Sequence, residues 1–537
     1  MQKVNNERRR NVLWKRIVFF ALILVVVLLA GFGGHALTAS RAASLSGPGT
    51  SGGPGITFVN GHLVYQKDSL GNQIPDFSSA GYGGGKLPLP TAPVKQTLSP
   101  QASGDDTARI QQAINSVSGL TPDANGIRGA VLLNAGTYRI AGTIRIATSG
   151  VVLRGSGEGT NGTILVAQGA LHTVIVVAGR GTWTPVGGQH NVSDAYVPIG
   201  ATSLHVDSTV GLAVGDHVIV QSPQTASWIH AMGMDKIPPR PDGHPMHQWS
   251  PNPGSLFDRT ITAISGNQIT LDAPLTSALE KQYAQATVWK YTFPGRISQV
   301  GVEDLSSDGT AFTKVPGYAS GGFFSAVFAS MNAVENGWMQ HITINNYGQG
   351  FLIGNGGGTT KQVTVTQTTE LNMSLMNPDP PAGYSITGQQ ILVEHCRASG
   401  QDFHVWTTQA EGPGPNVFTQ CTATGPKIDA APHQRWSTGT LFDDLTITGP
   451  GSHFAIENRL YMGSGQGWSA GNSVLWNCMA SDYHAQSPPT GYNWAIGCQG
   501  INNAPAFPNS GSPGVVTSPG KAVSPASLYA EQLAERP

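Results

Sequence analysis

Ile391-Leu392-Val393-Glu394-His395-Cys396-Arg397-Ala398-Ser399-Gly400 realigns with Asn416-Val417-Phe418-Thr419-Gln420-Cys421-Thr422-Ala423-Thr424-Gly425, and again with Leu441-Phe442-Asp443-Asp444-Leu445-Thr446-Ile447-Thr448-Gly449-Pro450. The starts are 25 residues apart both times, and a further copy beginning at Ser473 follows after 32. Weaker copies lie at Gly301 to Gly309, His341 to Gly350 and Val363 to Asn372. A period in the twenties made of short β-type runs leaves few folds open. No single repeat can bury its own apolar residues, so successive copies must stack as the coils of a β-solenoid. Equivalent residues of neighbouring coils then lie one strand spacing apart, about 4.8 Å.

The start of such a coil is written into Gly104 to Gly157. Asp105-Asp106-Thr107 precedes Arg109-Ile110-Gln111-Gln112-Ala113-Ile114, whose Ile110, Ala113 and Ile114 share one helical face. An Asp or Thr ahead of such a repeat is an N-cap signal. Short β-type runs follow at Ala130 to Leu133, Thr143 to Ile146 and Val151 to Gly155, with Gly136-Thr137-Tyr138 between them. The capping segment, Gly136-Thr137-Tyr138-Arg139-Ile140 and Gly150-Val151-Val152-Leu153-Arg154-Gly155-Ser156-Gly157 together resemble the N-terminal signature of the pectate-lyase-like superfamily, in particular its rhamnogalacturonase and epimerase-like members. The resemblance implies an all-β chain: a right-handed single-stranded parallel β-helix with an N-terminal capping helix. Asn134-Ala135 departs from the family, which usually has a proline there.

Composition agrees with a turn-rich β architecture, with 11% charged residues and 69 glycines. A net charge of −1 gives no electrostatic footprint for nucleic acid. Residues 1–40 read as an export signal or a single N-terminal membrane anchor, because Arg8-Arg9-Arg10, Lys15 and Arg16 precede the apolar run Ile17 to Ala30. Residues 41–101 read as a flexible linker and extended arm, 102–182 as the helix cap and first coils, and 292–502 as the main coils. Between them, 183–291 alternates apolar and polar residues with turns such as Gly266-Asn267, and is predicted to be an antiparallel β insert. The Pro-, Ser- and Ala-rich residues 503–537 read as a disordered tail. Cys396, Cys421 and Cys478 each end a β-type run, which favours buried thiols over a disulfide for these three; Cys498 is the fourth cysteine.

The 25-residue step turns sequence arithmetic into neighbourhood. It places His404 beside Asp429, and Pro432-His433-Gln434-Arg435-Trp436 beside Glu457-Asn458-Arg459-Leu460-Tyr461. The candidate catalytic residues are therefore His433, Arg435, Arg459, Glu457, His404 and Tyr461. Two guanidinium groups can pair with a uronate carboxylate while His433, His404 or Tyr461 serves as base or acid, which is the requirement of β-elimination. Candidate substrate contacts are Trp436, Gln466, Trp468, Asn458, Asn493 and Trp494, the loop tryptophans being placed to stack on sugar rings.

Glycoside hydrolysis is the alternative. Asp443-Asp444 followed by Gly465-Gln466-Gly467 is similar to the acid pair and Gly-His-Gly of β-helical polygalacturonases, with Gln466 in place of the histidine. A non-catalytic glycan-binding or surface structural protein on the same scaffold is the third reading. No metal or cofactor is predicted: a Ca2+ site needs clustered acids that this corner lacks, and His230, His244 and His247 match no common metal spacing. The expected partner is a polysaccharide.

Overall fold

The computed structural model describes residues 53–313, 326–354, 357–373, 382–400, 404–426, 429–449, 452–503 and 511–536. The basic and apolar N-terminal segment lies outside these residues. Among the described residues no helix is long and apolar enough to cross a membrane.

The chain is a right-handed parallel β-helix. One column of parallel rungs runs Val94, Ala130, Val152, Gly301, Trp338, Thr364, Leu392, Val417, Leu441, Val474, Trp494, Val515, each hydrogen-bonded in register to the next strand. A second column turns off it, and a third runs from Ile144–Ile146 through Thr173–Ala178, Val327–Asn332, Gln349–Ile353 and Ala382–Ile386 to His404–Thr408. The interior is a continuous apolar stack capped at one end by helix α1, Thr107–Ser118, which buries Ile110, Ala113, Ile114 and Val117. Asp106 is the N-cap residue but makes no capping bond with its side chain; the Asp105 carboxylate before it accepts from the backbone N–H of Thr107.

Pairing of Leu392 with Val417 gives the expected step of 25 residues, but Val417 pairs with Leu441, a step of 24, and Leu441 with Val474, a step of 33. Side chains alternate faces along a strand, so this one-residue slip matters: Thr419 stands level with Asp443 rather than Asp444. The residue that follows is the turn between columns. His395, Gln420, Asp444 and Asn477 all have left-handed backbone there, with φ of 53°, 51°, 51° and 49°. Each is followed by an inward residue, Cys396, Cys421, Leu445 and Cys478, which explains the repeat signature. All four cysteines, Cys498 included, are buried free thiols.

Two expectations are corrected. Residues 41–101 are not simply a linker and arm: Gly55–Val59 and His62–Gln66 form a hairpin, and Val94–Leu98 is the first rung of the coil. Nor is the tail disordered over its described part. Val515–Thr517 adds the last rung, and Leu528–Glu535 is helical. The physical reason is that the outer face of the first column is itself apolar. Ile74, Phe77, Ala80 and Leu528 bury Leu392, Val417, Leu441 and Val474 from outside. The tail is held at Asp443, whose carboxylate accepts from the Ser527 hydroxyl (2.5 Å) and from the backbone N–H groups of Leu528 and Tyr529. Gln532 bonds to the arm at Phe77, Pro75 and Tyr65, and the Glu535 carboxylate accepts from the Leu63 N–H.

Thr184–Asn191, His217–Gln224, Asn252–Ser265, Gln268–Leu271 and Thr287–Thr292 form an antiparallel sheet with Ser203–His205 between the coils. Its long loop contains helix α2, Ala226–Ala231, capped by the Thr225 side chain. The helix of the tail is α3, Leu528–Glu535.

Candidate functional site

The third column ends in a run of alternating ionisable groups. His404 is bridged to Asp429, the Ala430–Phe454 bridge sets Asp429 level with His453, and His453 pairs with Asp482. Nδ1 of His404 hydrogen-bonds the Asp429 carboxylate, and Nδ1 of His453 that of Asp482. Burial opposes ionisation of Asp429, but His404 in front, with Arg459 and His453 beyond, holds its carboxyl down at about 2. Both His404 and Asp429 are buried.

His433 lies against this pair, its ring centroid 4.6 Å from that of His404. Its surroundings fix its tautomer. The Gln409 amide nitrogen donates to Ser385, which turns the Gln409 oxygen towards Nδ1 of His433 at 3.0 Å. Nδ1 therefore carries the proton. Nε2 keeps its lone pair and faces the Gln466 amide nitrogen at 3.0 Å. Burial first, then the neighbouring His404 and Arg459, push the His433 pKa down to about 3, so the ring is neutral over the physiological range.

The two arginines sit on adjacent turns. Arg459 donates from Nη1 to the His433 carbonyl at 3.1 Å, and Arg435 donates from Nη2 to the Ser464 hydroxyl at 3.1 Å. Both side chains are partly exposed. Glu411, whose carboxyl is raised by burial against the pull of Asn252 and Arg435, accepts from the Asn252 amide of the insert.

The other predicted residues are placed differently. Glu457 is buried, its carboxylate 3.8 Å from Nε2 of His484, whose pKa burial lowers. Asn458 donates its N–H to Gln486 and accepts from the Leu460 N–H, a turn role. Asn493 is fully buried and spans the Ala470 and Gln486 carbonyls.

Trp436, Trp468 and Trp494 are buried at 4%, 1% and 0% exposure, which removes the expected sugar-stacking faces. Trp494 lies beneath the N-terminal arm, its indole N–H donating to the Pro54 carbonyl. Trp436 and Trp468 pack with Ile229, Met234, Ile237 and Trp249 of the insert loop, and Tyr461 is half-buried at the edge of that cluster. The loop is thus a cover with a buried apolar face, not the solvated loop its prolines and histidines suggest. It is seated by Arg240 on the Gly463 carbonyl and by the His247 N–H on the Ser464 carbonyl. Gly465 makes this approach possible: its φ is +87°, and a Cβ there would stand 2.3 Å from the His247 carbonyl oxygen. His230, His244 and His247 are exposed, and among the described residues no group of three His, Cys, Asp or Glu is arranged to hold a metal ion.

The hydrolase acids are also accounted for. Asp443 is fully buried under α3, and Asp444 is a left-handed turn residue. Sequence reasoning missed Gln409, His453, Asp482 and His484; the coil step that found His404 and Asp429 also reaches them once variable loop lengths are known.

No protein-family model matches the sequence, and no curated protein matches it. Among solved structures, the chain is similar to the tailspike of Pseudomonas phage phi297 (12% identity, 77% of this chain and 76% of that one, TM-score 0.25). It is similar to the A-module of a mannuronan C-5 epimerase from Azotobacter vinelandii (11%, 75% and 71%, 0.29) and to the tailspike of E. coli bacteriophage HK620 in complex with a pentasaccharide (10%, 75% and 54%, 0.37).

Proposed function

We propose that this chain is an extracytoplasmic polysaccharide lyase that cleaves a uronic-acid-containing glycan by β-elimination at the His404, Asp429 and His433 corner. The observation that carries the reading is the neutral His433, with a lone pair on Nε2, Arg435 two residues along its own turn and Arg459 bonded to its carbonyl from the next. A substrate carboxylate bound by Arg435 and Arg459 has its charge offset, which acidifies the C5–H bond. His433 Nε2 takes the C5 proton after Gln466 yields its place. The C5–H electron pair forms the C4–C5 double bond, the C4–O bond breaks, and the leaving oxygen takes a proton from water. The incoming carboxylate also brings negative charge next to His433 and raises its proton affinity.

Hydrolysis finds less support here, because it needs two carboxyl groups facing one sugar across a gap of roughly 5–9.5 Å, and Asp443 is committed to α3. The basic and apolar N-terminal segment supports export, with the catalytic region outside the cytoplasm.

The test is digestion of a panel of acidic and neutral polysaccharides by the full chain. Release of unsaturated uronate, read by its ultraviolet absorbance, is the expected result. New reducing ends without that absorbance would sink the lyase assignment in favour of hydrolysis, and no new ends from any member would leave binding alone.

A further inference from the structure

A second constellation lies where the antiparallel insert meets the coil, on elements separate from the His433 corner. Asp258 of the insert is fully buried and meets Arg296 at 2.6 Å and Lys361 at 2.9 Å, and Glu335 of the coil meets Arg296 at 3.2 Å and Lys361 at 3.4 Å. Attraction to Lys361 and Arg296 overcomes burial and keeps both carboxyls ionised. Two cations and two anions thus cancel, and four desolvated charges are a costly way to join two sheets that apolar residues could join as well.

The network backs onto an open cavity of about 620 Å³ lined by His217, Tyr291, Phe293, Arg296, Ser298 and Glu335. Three features of its wall point to a ligand. The Arg296 side chain is 5% exposed, yet its buried Nε–H has no hydrogen-bond partner. The Glu335 carboxylate keeps 24% of its surface open. Phe293 supplies a partly exposed aromatic wall, one face of it under the Arg296 guanidinium at 4.7 Å and backed by buried Tyr291, while exposed His217 stands at the rim.

We propose that this seam cavity is a saccharide subsite that takes a neutral, hydroxyl-rich sugar ring. An open carboxylate acceptor beside a partly exposed aromatic ring suits a pyranose: the carboxylate accepts from a hydroxyl, the C–H face packs against Phe293, and a small turn of the Arg296 guanidinium gives its orphaned Nε–H a ring or hydroxyl oxygen. The Glu335 carboxylate disfavours a uronate in the same place by like-charge repulsion. The subsite holds the glycan whether or not the His433 corner cleaves it, so its test is separable from that of the lyase chemistry.

The experiment is calorimetric titration of the full chain with maltotriose, cellotriose and chitotriose, with a glucuronate trisaccharide as the acidic control. Saturable binding of at least one neutral trisaccharide is expected, weakened tenfold or more by His217→Ala and by Phe293→Ala, and unchanged by His433→Ala. His217 is exposed, so its variant keeps the fold even if Phe293→Ala lowers the melting temperature. Absence of binding by all three neutral sugars, binding that both variants leave intact, or tighter binding of the glucuronate by the chain carrying Arg435→Ala and Arg459→Ala would each overturn the proposal.

Discussion

Gln466 donates its amide N–H to Nε2 of His433, across a gap of 3.0 Å between two turns that are 33 residues apart in sequence. The bond leaves the imidazole with a proton on Nδ1 alone, fixed from the other side by Gln409. Nitrogen NMR shifts of the His433 ring are therefore expected to report the Nδ1–H tautomer from pH 8 to pH 4. The depressed pKa of about 3 has a stability consequence as well. The unfolded chain takes up this proton near pH 6.5 and the folded one only near 3. The contribution of His433 to stability is thus complete above pH 6.5 and is lost as pH falls towards 3. His433→Gln is expected to flatten that part of a plot of Tm against pH.

Arg435 and Arg459 offer a kinetic prediction. If both hold the substrate carboxylate, Arg459→Lys keeps a charge but loses the paired donors, and kcat/KM is expected to fall by one to two orders of magnitude, consistent with roughly 1.5–3 kcal/mol for a charged hydrogen bond. Steady-state rates on the glycan identified in the panel check this. The double Arg435→Ala and Arg459→Ala variant is expected to lose turnover while keeping its Tm within a few degrees, because both side chains are partly exposed.

Trp436 is predicted to matter for stability rather than for sugar affinity. It is 4% exposed and packs edge-on against Trp228 of the cover loop at 5.1 Å. Trp436→Ala is expected to cost roughly 3–5 kcal/mol and to expose residues 226–249 to limited proteolysis. Unchanged proteolysis with weakened glycan binding would restore a substrate-stacking role.

Asp443 gives a pH effect of opposite sign. Burial lifts its carboxyl to about 6, against the hydrogen bonds from Ser527, Leu528, Thr419 and Tyr529. A carboxyl raised in the folded state contributes stability that is fully present below about pH 4 and is lost as pH rises through 6. Hydrogen exchange in α3 is expected to speed up over that interval. Asp443→Ala removes the pH dependence and orphans buried N–H groups, at roughly 1–3 kcal/mol each.

The fold was legible because a stack repeats its own evidence: every coil restates the turn residue and the inward residue after it, as His395-Cys396 and Gln420-Cys421 do. The His404 and Asp429 contact was legible for the same reason. The sugar-stacking role assigned to Trp494, and to Trp436 and Trp468, was not, since a tryptophan facing out from a coil reads alike whether solvent or another segment covers it. What covers these three comes from 440 residues earlier in the chain and from the insert, distances at which no local pattern operates. The tail misled for a related reason. Its Pro-, Ser- and Ala-rich composition lacks a core of its own, and its order is borrowed from Asp443 and the apolar face beneath it.

The bonds from Gln532 and Glu535 to the arm at residues 63–77 tie the two ends of the described chain to each other along the outer face of the first column. A column of coils ordinarily frays from its end rungs inward, each end on its own. Here neither end can peel without releasing the other, so loosening at one terminus is communicated to the opposite one along the outside of the column. Removal of residues 527–536 should therefore be felt at Phe77 as well as at the final rung.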